Sequence, residues 1–335
     1  MLQRIEFHRT GNPEEVAEVR EVESSSLADD HVRVWMQFAP INPADINYLQ
    51  GTYGIRAELP ATPGMEGSGV VEEVGAGVTR VAPGDHVILY EHIGSWSQEV
   101  CAAEDNVVRI DPDLDLAQAA MLRVNPPTAW RLLTGYLQLP QGSWVAQNAA
   151  NSGVGLALIQ LAKALGLRTV NAVRTEAAAN LCREQGADVV LVDDQDFVAH
   201  ARKALCGALP LLACNAVGGD SALRLMDLLA DEGTHVTYGA MSRQSLKVPN
   251  RFLIFKGINL QGLWVTKWMA GMSATERDAR FADLADRMIR GELSLPVEKI
   301  YPLSEITGAL KHAQQGGRSG KILLNLDRRQ MMCGS

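Results

Sequence analysis

The stretch that decides the fold is "VAQNAANSGVGLALIQLAKALGLRTVNAVR", residues 145–174. The apolar run 144–147 reads as a strand, 154–165 as a helix and 169–173 as the next strand. Strand, glycine-containing turn, helix and strand make half of a dinucleotide-binding fold. Against the pattern G-x-G-x-x-G, the turn offers Ala150, Ser152 and Gly155, with Gly153 between. Only the last glycine of the three survives, so the turn by itself also fits a strand-helix connection that binds no nucleotide. Its context restores the signal: an apolar strand precedes it and an amphipathic helix follows. Ala150 and Ser152 are small enough for a pyrophosphate to approach the backbone. Amides at the start of the helix bind that anion without a lysine. Asn148, Asn151 and Ser152 add side-chain hydrogen bonding.

Arg174, at the end of the second strand, sets the flavour of cofactor. An acidic residue there binds the ribose 2′-hydroxyl of NAD. A guanidinium pairs instead with a 2′-phosphate, so the sequence favours NADPH. The plainer reading of Arg174 is an exposed surface arginine.

Around this stretch the chain changes texture. "HVRVWMQFA", from residue 31, alternates as a strand does, and "GSGVVEEVGAGVTRVAPGDHVIL" reads as strand, tight turn, short link and strand. Short strands with turn signals indicate a small barrel or sandwich. From Asp111 onward helix starts appear, then strands and helices alternate. Further strands are expected at 189–192, 211–215 and 234–238, with helices at 175–185 and 221–229. That alternation predicts a parallel sheet covered by helices on both faces. "VEKIYPLSEITGALKHAQQGGRSGKILLNL" then returns to short strands around one helix. The chain end is therefore expected to rejoin the first domain, making the α/β part an insertion, with the active site in the cleft between.

The chain has 335 residues, enough for two domains. A net charge of −8 argues against nucleic acid or an anionic membrane as the main partner. No apolar run has the length of a membrane span. The start, "MLQRIEFHRTG", lacks the apolar core of a secretion signal, and Glu6 is unlike an acid-poor transit peptide; a cytoplasmic protein is the expectation. Cys101, Cys182, Cys206, Cys214 and Cys333 form no CxxC pair, which points to reduced thiols, most of them buried.

"GSGVVEEVGAGVTRVAPGDHV" followed by the nucleotide loop resembles the medium-chain dehydrogenase/reductase superfamily. "INPADINYLQGTYG", "VNPPTAWRLL", "QNAANSGVG", "VTYGAM", "LIFKGINLQGLW" and "SGKILL" are together similar to its zinc-free branch of NADPH-dependent 2-enoyl thioester reductases, the trans-2-enoyl-CoA reductase type. The resemblance covers essentially the whole chain. It implies a GroES-like β-barrel catalytic domain, 1–118 and 296–335, with an inserted Rossmann domain, 119–295, that binds NADPH on a doubly wound parallel sheet. It implies Tyr53 as the catalytic tyrosine. It implies cofactor contacts from Asn125, from Asn151, Ser152, Gly153 and Val154, and from Arg174. Tyr238, Gly239, Ala240 and Met241, with Leu263, Trp264 and Val265, would line the cofactor cleft, and Lys321 would make a last contact. A homodimer through the Rossmann sheets is also implied; "FLIFKGINLQGLW" is compatible with that and equally with a core segment. Two positions depart from the family pattern. Arg123 stands where such reductases carry a small residue, and Met65 where relatives often have Asn.

Zinc-dependent alcohol dehydrogenases share the fold, and their metal needs a thiolate, an imidazole and a third ligand. Here the histidine position falls in Gly64-Met65-Glu66-Gly67, and "INPADINY" holds no cysteine. A thioether is a poor zinc ligand. His86, His92, His235 and His312 are scattered and read as surface or core residues. No zinc is expected. Reduction of an activated C=C is then the natural chemistry. Hydride adds to the β-carbon of an enoyl thioester, charge builds on the carbonyl oxygen, and a proton reaches the α-carbon. Tyr53 suits the oxyanion donor or the α-carbon acid; its plain alternative is a turn aromatic between Gly51 and Gly54. Trp264 reads as acyl-pocket lining or core, and Tyr238 as a cofactor-packing or strand-end core residue. An NADPH:quinone or small-enone reductase on the same fold is the alternative, and a non-enzymatic NADPH-binding protein a third.

Overall fold

The computed structural model describes residues 1–91 and 93–327. His92 and the tail with Cys333 lie outside the described residues. The chain divides into two compact units, 1–124 with 273–335, and 125–272.

The first unit is built on a seven-stranded sheet in which strands Val297–Pro302, Lys321–Asn325, His31–Pro40, Ser68–Val74, His86–Leu89 and Val107–Arg109 lie side by side. Strand Glu99–Ala103 also pairs with His31–Pro40. The alternation that marked 31–40 as a strand is visible as inward Val32, Val34 and Met36, all within one apolar core. Ser68–Val74 and His86–Leu89 pair antiparallel, as their turn signals required. Among the described residues no ladder joins the two edge strands, so the expected barrel is an open sheet in its hydrogen bonding. The chain end does return: Lys321–Asn325 pairs antiparallel with His31–Pro40. Helix Ile306–Gln314 packs Ile306, Ala309, Leu310 and Ala313 into the same core.

Helix Ala274–Ile289, which the sequence reading did not mark, belongs to this unit, as does the whole segment 273–295 that the resemblance placed with the Rossmann part. Ser273 and Glu276 cap it reciprocally. Its inner face meets the sheet through Phe281 against Tyr90 and through Arg277, whose Nη1 donates to the Asp105 carbonyl.

The second unit carries a six-stranded parallel sheet ordered Val189–Val192, Arg168–Val173, Trp144–Gln147, Leu212–Asn215, Thr234–Thr237 and Asn259–Gly262. Numbered along this unit, the order is 3-2-1-4-5-6, the doubly wound arrangement of dinucleotide-binding folds. Strands expected from the apolar runs appear within a residue of their positions. Strand Trp144–Gln147 is buried at every residue, as a central parallel strand covered on both faces must be. Helices Phe197–Ala204 and Gly219–Leu228 pack on one face with Phe197, Leu225 and Phe252. Helices Gly153–Ala164 and Glu176–Glu184 close a second cluster with Leu156, Ile159, Val173 and Cys182. The final strand, Asn259–Gly262, is exposed along its length.

Candidate active site

Each unit presents its own group of candidate residues. In the second unit the chain order reverses between strands Trp144–Gln147 and Leu212–Asn215, so the loops after them diverge and leave room for a ligand. The first of these loops runs through Ala149, which adopts φ +49°, into Ser152. Ser152 caps helix Gly153–Ala164 by accepting from the Gly155 amide at 3.1 Å. Asn151, Ser152, Gly153 and Val154 are half-buried at this helix start. A Cβ on Gly155 would stand 2.4 Å from the Ala150 carbonyl oxygen. Close backbone packing thus demands the one glycine that the fingerprint retains.

Asn125 opens helix Asn125–Thr134. A Cβ on Gly153 would lie 2.9 Å from its Oδ1, while its buried Nδ2 has no partner among the described residues. An unsatisfied buried amide beside this helix terminus is what a bound polar ligand would complete. Arg174 is exposed directly after strand Arg168–Val173. The nearest acid in sequence, Glu176, is already paired with Arg183 at 2.6 Å. A capped helix terminus, an orphaned amide and this arginine fit the pyrophosphate and 2′-phosphate of NADPH.

Asn148 corrects the reading that gave it to the ligand. It is fully buried, and its Nδ2 donates to Asn215 Oδ1 and Ser221 Oγ, each at 2.8 Å. Its Oδ1 accepts from the Ala216 amide at 2.7 Å. It therefore ties together the two diverging strand ends. Ser221 Oγ in turn donates to Asp193 at 2.5 Å, and Arg224 Nε donates to the same carboxylate at 2.6 Å. The sequence reading missed this network, because its members lie on four separate elements.

Tyr238 follows strand Thr234–Thr237, and its amide donates to the Asn215 carbonyl at 2.9 Å. Its hydroxyl is enclosed with no partner at hydrogen-bond distance among the described residues, and burial pushes it above its ordinary value. Gly239 is half-buried, while Ala240 and Met241 are exposed. Leu263 and Val265 are half-buried and Trp264 is exposed at the start of helix Val265–Met269. A core role for Trp264 is thereby removed.

In the first unit, Tyr53 follows helix Pro43–Gln50. Gly51 ends that helix in the left-handed conformation, φ +72°. Tyr53 is half-buried against the main core, and its amide donates to the Asn47 carbonyl at 3.1 Å. The same helix begins at a buried polar cluster. Asp45 caps the helix by accepting from the Asn42 amide at 2.7 Å, and it also accepts from the Met65 amide at 2.8 Å. Asn42 Nδ2 donates to Glu66 Oε1 at 2.8 Å, and Lys321 Nζ donates to Asn42 Oδ1 at 2.5 Å. Glu66 Oε2 accepts from the Val124 amide at 2.8 Å, and Arg123 Nη1 donates to the Met65 carbonyl at 2.9 Å.

Loss of water dominates the electrostatics of this cluster. Burial raises Asp45 from 3.8 to about 7, with amide hydrogen bonds and Lys321 opposing and Glu66 adding to the rise. Burial also raises Glu66 and lowers Lys321 to about 8, the ammonium being desolvated although the residue is half-buried. Lys321 was foreseen as a cofactor contact; the carboxylates around it were not foreseen.

Met65 is buried in the apolar core. Among the described residues no set of three His, Cys, Asp or Glu stands together as metal ligands. His235 is fully buried on strand Thr234–Thr237, and burial lowers it to about 4, the behaviour of a neutral core imidazole. His312 bonds Glu298 and Tyr301 at 2.8 and 3.1 Å. Cys182 and Cys214 are buried, and burial raises Cys182 to about 12, whereas Cys206 is exposed. No helix is long and apolar enough to cross a membrane among the described residues.

Comparison with known proteins adds to this geometry. Residues 28–112 match the family model described as alcohol dehydrogenase GroES-like domain, and 153–281 the one described as zinc-binding dehydrogenase. The chain is 40% identical over 327 residues to an enzyme named "Enoyl-[acyl-carrier-protein] reductase, mitochondrial" from Xenopus tropicalis, covering 95% of this chain and 93% of that one. A solved complex of Etr1p with NADP and crotonyl-CoA superposes with a TM-score of 0.86 at 26% identity, covering 97% and 99% of the two chains. A putative NADPH:quinone reductase from Bacillus thuringiensis superposes with a TM-score of 0.90 at 28% identity, covering 97% and 98%. The mitochondrial names of the enoyl reductases overturn the cytoplasmic assignment. That assignment leaned on the first residues, which form strand Leu2–Glu6 of the fold.

The cluster predicts a measurable pH dependence. The folded state holds the Asp45 proton more tightly than the unfolded chain, whose value is about 3.8. The associated stability is present below that value and is lost as pH rises through about 7. Asp45→Asn, uncharged throughout, should therefore gain on the wild type between pH 5 and pH 8, by roughly 2–4 °C in thermal midpoint. An equal difference at both pH values would show that Asp45 is not held protonated.

Proposed function

The chain belongs to the zinc-free enoyl thioester reductases of the medium-chain dehydrogenase/reductase superfamily, and on that premise we propose that it reduces the C=C bond of a 2-enoyl thioester, carried on coenzyme A or acyl carrier protein, with NADPH. The observation that carries this reading is the 40% identity spread over 95% of the chain. Bound NADPH supplies the hydride that adds to the β-carbon. The helix terminus at Ser152 to Val154 holds the pyrophosphate, and Asn125 completes its buried amide against the cofactor. Arg174 pairs with the 2′-phosphate. Tyr238 to Met241, Leu263 to Val265 and Lys321 are assigned the remaining cofactor contacts. Tyr53 is the proton donor that the enolate formed by hydride addition requires. A quinone or small enone is the competing acceptor, supported by the TM-score of 0.90 to a quinone reductase. Shared fold at 28% identity weighs less than enoyl-reductase identity of 40%.

We also propose a homodimer through the exposed edge strand Asn259–Gly262. Ile254 and Phe255, 69% and 80% exposed, lie just before it, and Trp264 just after. An uncovered sheet edge flanked by exposed apolar side chains is a site of chain pairing.

Four outcomes are expected. Crotonyl-CoA should consume NADPH much faster than a quinone does, and Tyr53→Phe should slow that reaction about 100-fold; full turnover by the variant would remove Tyr53 from the chemistry. Arg174→Ala should weaken NADPH by about 10- to 100-fold and NADH little, read by fluorescence titration, because a charge-assisted pair is lost only with the phosphate. Ile254→Glu with Phe255→Glu should halve the mass in light scattering while circular dichroism is unchanged.

A further inference from the structure

Two side-chain amides stand inside the sheet of the second unit, where apolar side chains are expected. Gln147 and Asn171 are cross-strand partners on strands Trp144–Gln147 and Arg168–Val173, and both are fully buried. Asn171 lies two residues before Val173, so it shares the sheet face on which Val173 packs with Leu156 and Ile159. Backbone carbonyls, which only accept, fix how both amides are turned. Asn171 Nδ2 donates to the Val189 carbonyl at 3.0 Å and to Thr169 Oγ1 at 2.9 Å, which leaves its Oδ1 facing Gln147. Gln147 Nε2 donates to that Oδ1 at 2.8 Å and, with its second hydrogen, to the Gly155 carbonyl at 3.0 Å. Gln147 Oε1 is enclosed with no partner among the described residues. An apolar side chain would pack here without that unmatched acceptor. What the glutamine adds is a hold on Gly155, in the turn before helix Gly153–Ala164. Ser152 Oγ accepts from the Gly155 amide, Gln147 donates to its carbonyl, and the Ala150 amide donates to the Ala172 carbonyl at 3.2 Å. The turn is thus tied to both central strands.

We propose that Gln147 is a positioning residue for the cofactor: turned by Asn171, it holds the Gly155 carbonyl and so keeps the first amides of helix Gly153–Ala164 where a pyrophosphate meets them. This rests on the reading of that helix start and Arg174 as the NADPH site. Gln147 is fully enclosed, so it acts through Gly155 rather than by contact with the cofactor. Amides already ordered bind an anion more tightly than amides that must first be ordered. Loss of the hold therefore weakens ligands that carry a pyrophosphate. A lone 2′-phosphate, met by Arg174 beyond the end of the strand, is spared.

The test is a double-mutant cycle of Q147M, N171L and the pair on the full chain. It reads NADPH affinity by fluorescence titration, ADP and adenosine 2′-monophosphate by competition, the thermal midpoint, and kcat and KM for NADPH at saturating crotonyl-CoA. Q147M should weaken NADPH and ADP about 10-fold each and adenosine 2′-monophosphate less than about twofold. KM for NADPH should rise with the weaker binding while kcat stays within about threefold. N171L should give the same pattern, and in the Q147M background it should cost less than about threefold more, since Asn171 acts through Gln147. Equal weakening of ADP and adenosine 2′-monophosphate by Q147M, or a lowered thermal midpoint with ADP affinity unchanged, overturns the inference and leaves the NADPH reading standing. If neither ADP nor adenosine 2′-monophosphate competes with NADPH on the wild type, the reading of the site falls, and the inference with it. Should Q147M not fold, Q147L takes its place in the same cycle.

Discussion

Burying a charge is tolerated only when partners replace the water it loses. The first unit encloses Asp45, Glu66 and Arg123 together with the ammonium of Lys321, and Asn42 joins them. Asn42 uses its amide nitrogen for Glu66, its amide oxygen for Lys321 and its backbone N–H for Asp45. Three distant parts of the chain are thereby tied at one point: the start of helix Pro43–Gln50, the loop through Glu66, and strand Lys321–Asn325. The loop reaches that point because Gly64 adopts φ +111° and passes where a Cβ would lie 2.2 Å from Ser95 Oγ and 2.8 Å from the Trp96 amide nitrogen. Tyr53 leaves the far end of the same helix. The cluster at one terminus thus fixes the candidate acid beyond the other.

The second unit solves a different problem, that of holding open the ends of strands whose neighbours depart in opposite directions. Asn148 and Asn215 cap the two central strands by bonding to each other, and Ser221 and Asp193 extend the link to the next elements. Asn148, Asn215, Ser221 and Asp193 direct their side-chain polar atoms to one another and to neighbouring groups, so the network stiffens the frame. The groups left over, Asn125 Nδ2 and the first amides of helix Gly153–Ala164, are those that a dinucleotide would complete.

Much of this was readable from residue order. The parallel strands are continuous apolar runs, and the helix after Ser152 has its cap, its small residues and its period in one contiguous stretch. The candidate cofactor residues stand out for the same reason: loop, helix start and Arg174 lie within 145–174. The charge cluster was not legible, because Lys321 and Asn42 are 279 positions apart and no local pattern announces their contact. Helix Ala274–Ile289 escaped notice although Ser273 and Glu276 form a capping box, since its buried stripe starts on a charged residue, Arg277, and only then runs through Phe281, Leu284, Ala285 and Met288. Asn148 was misread because sequence shows that a side chain can form hydrogen bonds but not on which side it forms them.

The incomplete glycine fingerprint follows from the same geometry. Gly155 is the position where backbone meets backbone, a Cβ there falling 2.4 Å from the Ala150 carbonyl oxygen. No side-chain adjustment relieves that contact, and glycine is retained. At Gly153 the nearest atoms belong to the Asn125 side chain, at 2.9 Å, so the constraint there comes from a group that can move. Ala150 is fully buried beneath the turn, where a methyl fills space that glycine would leave empty. Ala149 accepts φ +49°, a conformation that costs a non-glycine residue about 1 kcal/mol, and a tight turn repays it with the Ser152 cap. The one fingerprint glycine that persists is thus the one whose Cβ would meet a backbone carbonyl.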